Sequence, residues 1–278
     1  MAWEFTAIYW RDMLRFVRFK AVLFTSLVQP ALWMALYGAA MSSNFNRLGA
    51  GTSAPPGAEA VSYLTFMCGG IIALTTLFTS LFGGISLLFD KNWGIMREIL
   101  ASPMPRNNII IGIGLSGVTK SFIQVLVIMA FGLLLGVRFF VGYTALRAAV
   151  SLLGILIFVG IFSIGFLFLS SAISMSMDTP EGLQAVITLL TLPLFFASNA
   201  LYPIEAFPPV VRGLSLFNPL THLVNGVRYF AIGSDFYAIG IHYTYTFSDI
   251  LYSLGALTAF AMATYIVARW VFKNAVIT

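Results

Sequence analysis

Residues 61–89 read VSYLTFMCGGIIALTTLFTSLFGGISLLF, and residues 90–106, directly after them, read DKNWGIMREILASPMPR. The first stretch contains no Asp, Glu, Lys or Arg. A bilayer-spanning helix needs about 20 mainly apolar residues, so this run is long enough to cross a membrane. The second stretch is polar, amphipathic and far too short to cross. On a helix advancing about 100° per residue, Trp93, Ile95, Met96, Ile99 and Leu100 share one arc, while Lys91, Gly94, Arg97 and Glu98 fill the other. Such a segment is expected to lie flat at a membrane surface between two spans, where a soluble partner could push on it.

The same alternation runs through the chain. Of its 278 residues 59% are hydrophobic and 9% charged, and the mean hydropathy is +0.93. A soluble domain carries about 25% charged residues, and a globule of this size could not hide so much apolar surface. The solvent must be lipid. Six apolar runs are long enough to span: 21–41, 61–89, 107–136, 145–175, 183–202 and 249–272. None alternates polar with apolar as barrel strands do. The expected fold class is therefore an all-α polytopic membrane protein with six transmembrane helices. Added to these are an N-terminal interfacial helix, a surface helix in the 90–106 loop and re-entrant helices on the opposite face. The expected organisation is an interfacial segment, 1–20, and one membrane domain, 21–278. The charges at Glu4, Arg11, Asp12, Arg15, Arg18 and Lys20 argue against a cleaved leader.

Orientation follows from the loop cations. With six spans both termini share a side. That side carries Arg11, Arg15, Arg18, Lys20, Lys91, Arg97, Arg106, Arg269 and Lys273, against Arg47, Arg138, Arg147, Arg212 and Arg228 on the other. The bias places both termini and the 90–106 island in the cytoplasm of a multi-pass plasma (inner) membrane protein. The net charge of +5 is accounted for by these flanks, and no basic soluble surface for nucleic acid is expected.

Residues 3–20 read as an amphipathic helix, with Glu4, Arg11, Arg15 and Arg18 opposite Phe5, Tyr9, Met13 and Phe16. The second run carries Thr75, Thr76, Thr79 and Ser86 on one side. Their hydroxyls suit either helix packing or the lining of a polar path. Between runs five and six, Pro203, Pro208 and Pro209 precede Asn218-Pro219, a helix N-cap followed by proline at the first helical position. A helix from Pro219 to Ile232 would be about 21 Å long, too short to span, so 204–232 reads as a pair of re-entrant or interfacial helices forming an outer cap.

Several motifs are discounted. Gly112-Ile113-Gly114-Leu115-Ser116-Gly117 matches G-x-G-x-x-G but lies inside an apolar helix with no preceding strand. Gly114 to Ser121 misses a P-loop because Thr119 stands before Lys120 where the second glycine belongs. The chain is thus expected to hold no ATP site, no cofactor, no metal and no catalytic residue. Cys68 reads as an inert buried thiol. Lys120, the charge inside a run, is expected to snorkel towards the surface. The spans carry almost no carboxylates, which disfavours ion-coupled transport.

The segment from Asp90-Lys91-Asn92-Trp93-Gly94 through Arg97-Glu98-Ile99-Leu100 to Pro103-Met104-Pro105-Arg106 resembles the signature of ABC-2 type exporter permeases. Leu201-Tyr202-Pro203, Asn218-Pro219-Leu220-Thr221-His222 and Arg228 resemble a second one. The likeness covers essentially the whole chain in span order. It resembles especially the daunorubicin-resistance and nodulation lipo-oligosaccharide export permeases. The resemblance implies that 92–102 is a coupling helix docked in a cleft of a separate ABC ATPase subunit, with contacts from Trp93, Gly94, Ile95, Met96, Arg97, Glu98 and Leu100. It implies a gate helix at 3–20 bearing Arg11, Arg15 and Arg18, and an outer gate of Tyr202, Pro203, Asn218, Pro219 and Arg228. ATP and Mg would be bound by the partner ATPase. A second permease copy or a paralogue would complete the transporter. Candidate path-lining residues are Thr75, Thr79, Phe195, Phe196 and Asn199. Such an apolar, aromatic wall fits export of an amphipathic drug, as in multidrug efflux, or of a lipid or lipid-linked cargo. A polysaccharide or lipo-oligosaccharide is the alternative. A membrane enzyme or an ATP-independent channel is the reading of another class, and an enzyme should show polar catalytic groups converging in the spans, which the sequence lacks.

Overall fold

The computed structural model describes residues 5–50, 59–102 and 104–274, and at 21, 22, 25, 46–50, 59, 100, 106 and 107 it describes the backbone alone. Helix α1 (Phe5–Arg18) is followed by α2 (Lys20–Leu32), which runs on through a π-helical stretch, Trp33–Gly38, into α3 (Ala39–Ala50). Pro30 lies inside α2. Proline removes a backbone donor and crowds the preceding turn, and the wider π stretch follows within three residues. A short strand β1 (Glu59–Ala60) leads to α4 (Tyr63–Asn92), started by Ser62, whose hydroxyl accepts from the Thr65 amide. Then come α5 (Ile95–Ala101), α6 (Arg106–Leu134) and α7 (Ala145–Met175). Next is α8 (Pro180–Phe196), capped by Thr179 with proline in its first turn. The 3₁₀ turn Ile204–Ala206 precedes α9 (Pro209–Phe217) and α10 (Pro219–Ala231), and α10 is capped by Asn218. The hairpin β2 (Asp235–Ala238) and β3 (Ile241–Thr244) precedes the last helix, α11 (Phe247–Asn274).

Among the described residues four helices are long and apolar enough to cross a membrane: α4, α6, α7 and α11. The α2–π–α3 run is continuous but interrupted in type, and α8 is apolar and 17 residues long. The fifth sequence run, 183–202, was expected to be helical throughout. The helix instead ends at Phe196, three residues after Pro193. Ala197–Pro203 forms a tight turn in which the Ser198 hydroxyl donates to the Phe195 carbonyl.

The bundle is built around α4, whose apolar window is 67% buried, whereas that of α11 is 28% buried and leaves most of its face outward. Phe66, Ile71, Leu77 and Leu81 of α4 pack against Val125 and Ile128 of α6, Phe158, Phe162 and Phe166 of α7, and Leu220, Val224 and Val227 of α10. Close approach depends on glycine at particular points. A Cβ on Gly70 would overlap the backbone of Ala200. One on Gly112 would meet the Phe5 carbonyl and Ile8 of α1 at 2.8 Å. The G-x-G-x-x-G pattern thus starts at a helix-packing contact.

The all-α expectation is corrected by a small sheet of order β1-β2-β3, β1 parallel and β3 antiparallel to β2. It ties the segment before α4 to the one before α11. The two hairpin turn residues, Ile239 and Gly240, have φ of 55° and 76°. A two-residue turn matching strand twist needs positive φ at both positions. A β-branched residue rarely supplies it, so the turn carried no Asn-Gly or Asp-Gly signal.

Candidate functional site

Two polar clusters occupy opposite ends of the bundle. At the end shared by the N- and C-terminal helices, α4 gives way to α5 through Trp93 and Gly94, where Gly94 has φ of 79°, the left-handed region that glycine enters at no steric cost. This turn lays the seven-residue α5 across the end of the bundle. Met96 is fully buried beneath it, while Arg97 and Glu98 are exposed. Trp93 stands just before the helix, 64% exposed and stacked on Phe89 at 5.1 Å. Ile95 is half-buried, and the Leu100 side chain lies outside the described residues.

The last turn of α4 is held from two sides. Asp90, buried, accepts from Arg11 at 2.5 Å and Arg15 at 2.7 Å, both on α1. Lys91 donates to the carbonyls of Met175 and Met177 at 3.3 and 2.8 Å and pairs with Asp178 at 3.3 Å. Asn92 donates to the Asp178 carbonyl at 3.1 Å. A cation on the carbonyl end of α7 satisfies acceptors the helix cannot satisfy itself and complements its dipole. Asp12 of α1, also buried, meets Lys120 at 2.5 Å and the Ser116 hydroxyl at 2.5 Å on α6. Lys120 therefore pairs inside the protein and does not snorkel outward. The polar stripe of α1 also faces inward in part: Arg11, Asp12 and Arg15 bind α4 and α6, and Arg18 is exposed. Sequence reasoning missed the Asp12 and Asp90 pairings. Their one signal was the scarcity of acids, 10 Asp and Glu in the chain, with two flanking membrane runs.

At the far end Arg228 of α10 is fully buried. Its Nη2 donates to the carbonyls of Asn199 and Ala200 at 2.8 and 3.2 Å, its Nε to that of Phe66 at 3.3 Å, and the guanidinium lies 3.5 Å over the Phe66 ring. Asn199 donates to the Asn225 side chain at 2.6 Å. Asn218 caps α10 and donates to the Leu194 carbonyl at 2.7 Å, so α8 and α10 are pinned together, and Pro219 opens α10. The hydroxyls of Tyr202 and Tyr37 lie 3.0 Å apart, and Pro203 is buried beside them. His222 lies 3.1 Å from the Leu216 carbonyl and 3.3 Å from the Ser253 hydroxyl. Burial pushes its imidazole below the usual histidine value.

The five candidate path residues differ in their surroundings. Thr75 is fully buried and returns its hydroxyl to the Ile71 carbonyl. The Thr79 hydroxyl sits between the Thr75 carbonyl and the side chain of Gln124, which in turn donates to Ser26 at 2.8 Å. Thr75 thus bonds within its own helix, while Thr79 links α4 to α6 through Gln124. Phe195 is buried edge-on against Trp33 at 6.3 Å, and Asn199 is buried. Phe196 alone of the five is exposed, at 47%, in line with Leu189 and Leu192 along one face of α8.

The apolar helical bundle, with four helices long enough to cross a membrane among the described residues, defines a polytopic membrane protein. The chain belongs to the ABC-2 type transporter family, whose profile matches residues 4–231. It is 28% identical over 274 residues to the ycf38 protein of Porphyra purpurea, covering 98% of this chain and 88% of that one. It is 25% identical over 224 residues to the inner membrane transport permease YadH of Escherichia coli K12, covering 78% and 79%. To the daunorubicin resistance ABC transporter permease protein DrrB1 of Streptomyces coeruleorubidus it is 24% identical over 233 residues, covering 84% and 76%. The chain is an ABC-2 type transport permease.

Proposed function

We propose that this permease is the membrane-spanning half of an ATP-driven exporter and that α5, within 92–102, is where a separate ABC ATPase subunit engages it. The observation that carries the reading is the mounting of α5. Met96 is planted in the bundle, Trp93, Arg97 and Glu98 face outward, and the residues immediately before the helix grip α1 through Asp90 and the α7–α8 connection through Lys91. A displacement of α5 is thereby delivered to α1 and to the α7–α8 connection at once. In this reading α2–π–α3 and α8 supply two further spans beside the four long helices, both termini lie in the cytoplasm of a plasma (inner) membrane, and α1 is an interfacial gate helix. ATP and Mg belong to the ATPase.

A second copy or a paralogue would face the exposed apolar surfaces of α2, the π stretch and α8, where Leu32, Leu36, Leu189, Leu192 and Phe196 are outward. A wall of that composition suits an amphipathic drug, a lipid or a lipid-linked cargo. The test is co-purification with the candidate ATPase subunit, followed by Arg97→Ala and Glu98→Ala. Loss of assembly, or assembly with uncoupled ATP hydrolysis, is expected. If assembly, basal ATPase activity and cargo-stimulated ATPase activity all remain at wild-type levels in both variants, the docking assignment fails.

A further inference from the structure

Arg228 is the unresolved charge of this molecule. It is 0% exposed, and a guanidinium cannot shed its proton at any physiological pH. Its donors at Nε and Nη2 meet three backbone carbonyls and its face meets Phe66. These, with the neutral Tyr245 hydroxyl that also faces the guanidinium, are dipoles and a quadrupole, not a counter-charge. Among the described residues Nη1 has no hydrogen-bond partner and no carboxylate pairs with the guanidinium. The same cap holds further buried polar atoms without partners among the described residues: the Tyr243 hydroxyl, Asn199 Oδ1 and the Thr221 hydroxyl. One turn before Arg228 on α10, Asn225 is neutral and occupied with Asn199 and Tyr245. Burying an ion costs several kcal/mol unless it is paired, and clusters of unsatisfied buried groups call for a specific cause.

We propose that Arg228 Nη1 is the receptor for an oxyanion in the outer cap, a carboxylate or a phosphate, taken up when the Ala197–Pro203 turn shifts away from α10. Two sources present that chemistry. One is Glu205, exposed on the 3₁₀ turn that follows the turn held by Arg228; its field reaches the Tyr243 and Tyr245 rings that also face the guanidinium. The other is external: an acidic group on a lipid or on the transported molecule. The proposal holds however the permease is energised, so it stands or falls apart from the docking of an ATPase on α5.

The experiment uses the full chain in nanodiscs of phosphatidylcholine. Thermal unfolding is followed as sodium chloride is replaced, at fixed ionic strength, by sodium acetate or inorganic phosphate. Wild type, Glu205→Gln and Asn225→Asp are compared. Asn225→Asp sets a carboxylate one helical turn from Arg228 and should saturate the receptor from within, so its response to acetate and phosphate reports only general salt effects. If the source is external, acetate or phosphate raises the midpoint of wild type and of Glu205→Gln alike, by several degrees more than that of Asn225→Asp. If the source is Glu205, wild type responds no more than Asn225→Asp, while Glu205→Gln starts lower and is restored by acetate. Equal responses of all three proteins, with equal starting midpoints for wild type and Glu205→Gln, overturn the proposal. Hydrogen exchange on wild type and Glu205→Gln gives the same decision without Asn225→Asp. Amides of α10 and of residues 197–203 gain protection in acetate in one or both proteins, and no gain in either refutes the site.

Discussion

Asp90 should behave as a shared counter-ion, and sharing has a signature that independent contacts lack. Its side chain is 2% exposed, while those of Arg11 and Arg15 are 33% and 24% exposed. Replacing Arg11 with Ala leaves Asp90 paired to Arg15, and the converse holds. Each single loss removes one charge-assisted bond, worth about 1.5–3 kcal/mol when enclosed, reduced to about 1 kcal/mol by the solvent access of the arginine. The double change Arg11→Ala/Arg15→Ala strands a buried carboxylate, a situation that costs about 3–5 kcal/mol. The double should therefore lose about 1–3 kcal/mol more than the sum of the singles. Adding Asp90→Asn to the double removes the stranded charge and should restore about 2 kcal/mol, so that the triple variant is more stable than the double. The assay is reversible unfolding in mixed micelles followed by helical circular dichroism, with fluorescence of Trp10, 63% exposed on α1, reporting detachment of that helix. A double equal to the sum of its singles, or a triple no better than the double, would refute the shared-ion reading.

Three further outcomes are expected. Asp12→Lys should release α1 from α6, because Lys120, only 13% exposed, then faces a like charge; adding Lys120→Asp should recover much of the loss, measured as hydrogen exchange across residues 5–18. Gly70→Ala should destabilise by about 1–3 kcal/mol, as overpacking does, since the added methyl overlaps the Ala200 backbone, and the loss should be larger than for Gly213→Ala, where nothing lies within 4 Å. For His222, burial lowers the folded-state pKa from 6.5. The unfolded chain then binds the proton more readily, so stability is full above pH 6.5 and falls as pH drops below it towards the folded value. His222→Gln should flatten that acid-side slope in a pH series of unfolding midpoints, and an unchanged slope would show that the imidazole is not the titrating group.

Much of this could be read from the chain because lipid imposes its own grammar. Backbone groups in hydrocarbon must pair within a helix, so runs such as 61–89 and 145–175 leave little choice, and α4 and α7 fall on them. Caps were equally local: Asn218-Pro219 starts α10 where proline geometry demands. What escaped was decided by distant partners. Nothing near Lys120 in sequence announces Asp12, 108 positions away, and nothing near Thr79 announces Gln124, 45 positions away. The arcs drawn across 91–100 carried helical periodicity through Gly94, whose left-handed backbone resets the phase between α4 and α5. The hairpin failed for a related reason: its turn is set by Ile239, acting against the pattern around it, and nothing in the apolar run 183–202 marks the end of α8 at Phe196.

α4 is the element through which the two polar clusters can communicate. It contributes Asp90 and Lys91 to the charged hub at one end and the Phe66 carbonyl and ring to Arg228 at the other. Those positions are 24 residues apart, about 36 Å along a helix. A rigid tilt of about 5° pivoting at one end displaces the other by about 3 Å. That is as long as the bonds holding Arg228, which run from 2.8 to 3.3 Å, so a small motion at α5 is sufficient to strip the guanidinium of its α4 contacts. The converse also follows. Because the hub fixes Asp90 from α1 and Lys91 from α7, α4 cannot tilt alone: either α1 and α7 move with it or an ion pair must break. Charge-neutral replacement of Asp90 should therefore loosen the Arg228 cap at the opposite end, visible as faster hydrogen exchange in α10 with no substitution there. Unchanged exchange in α10 would mean that α4 bends at its glycines and the two ends act independently.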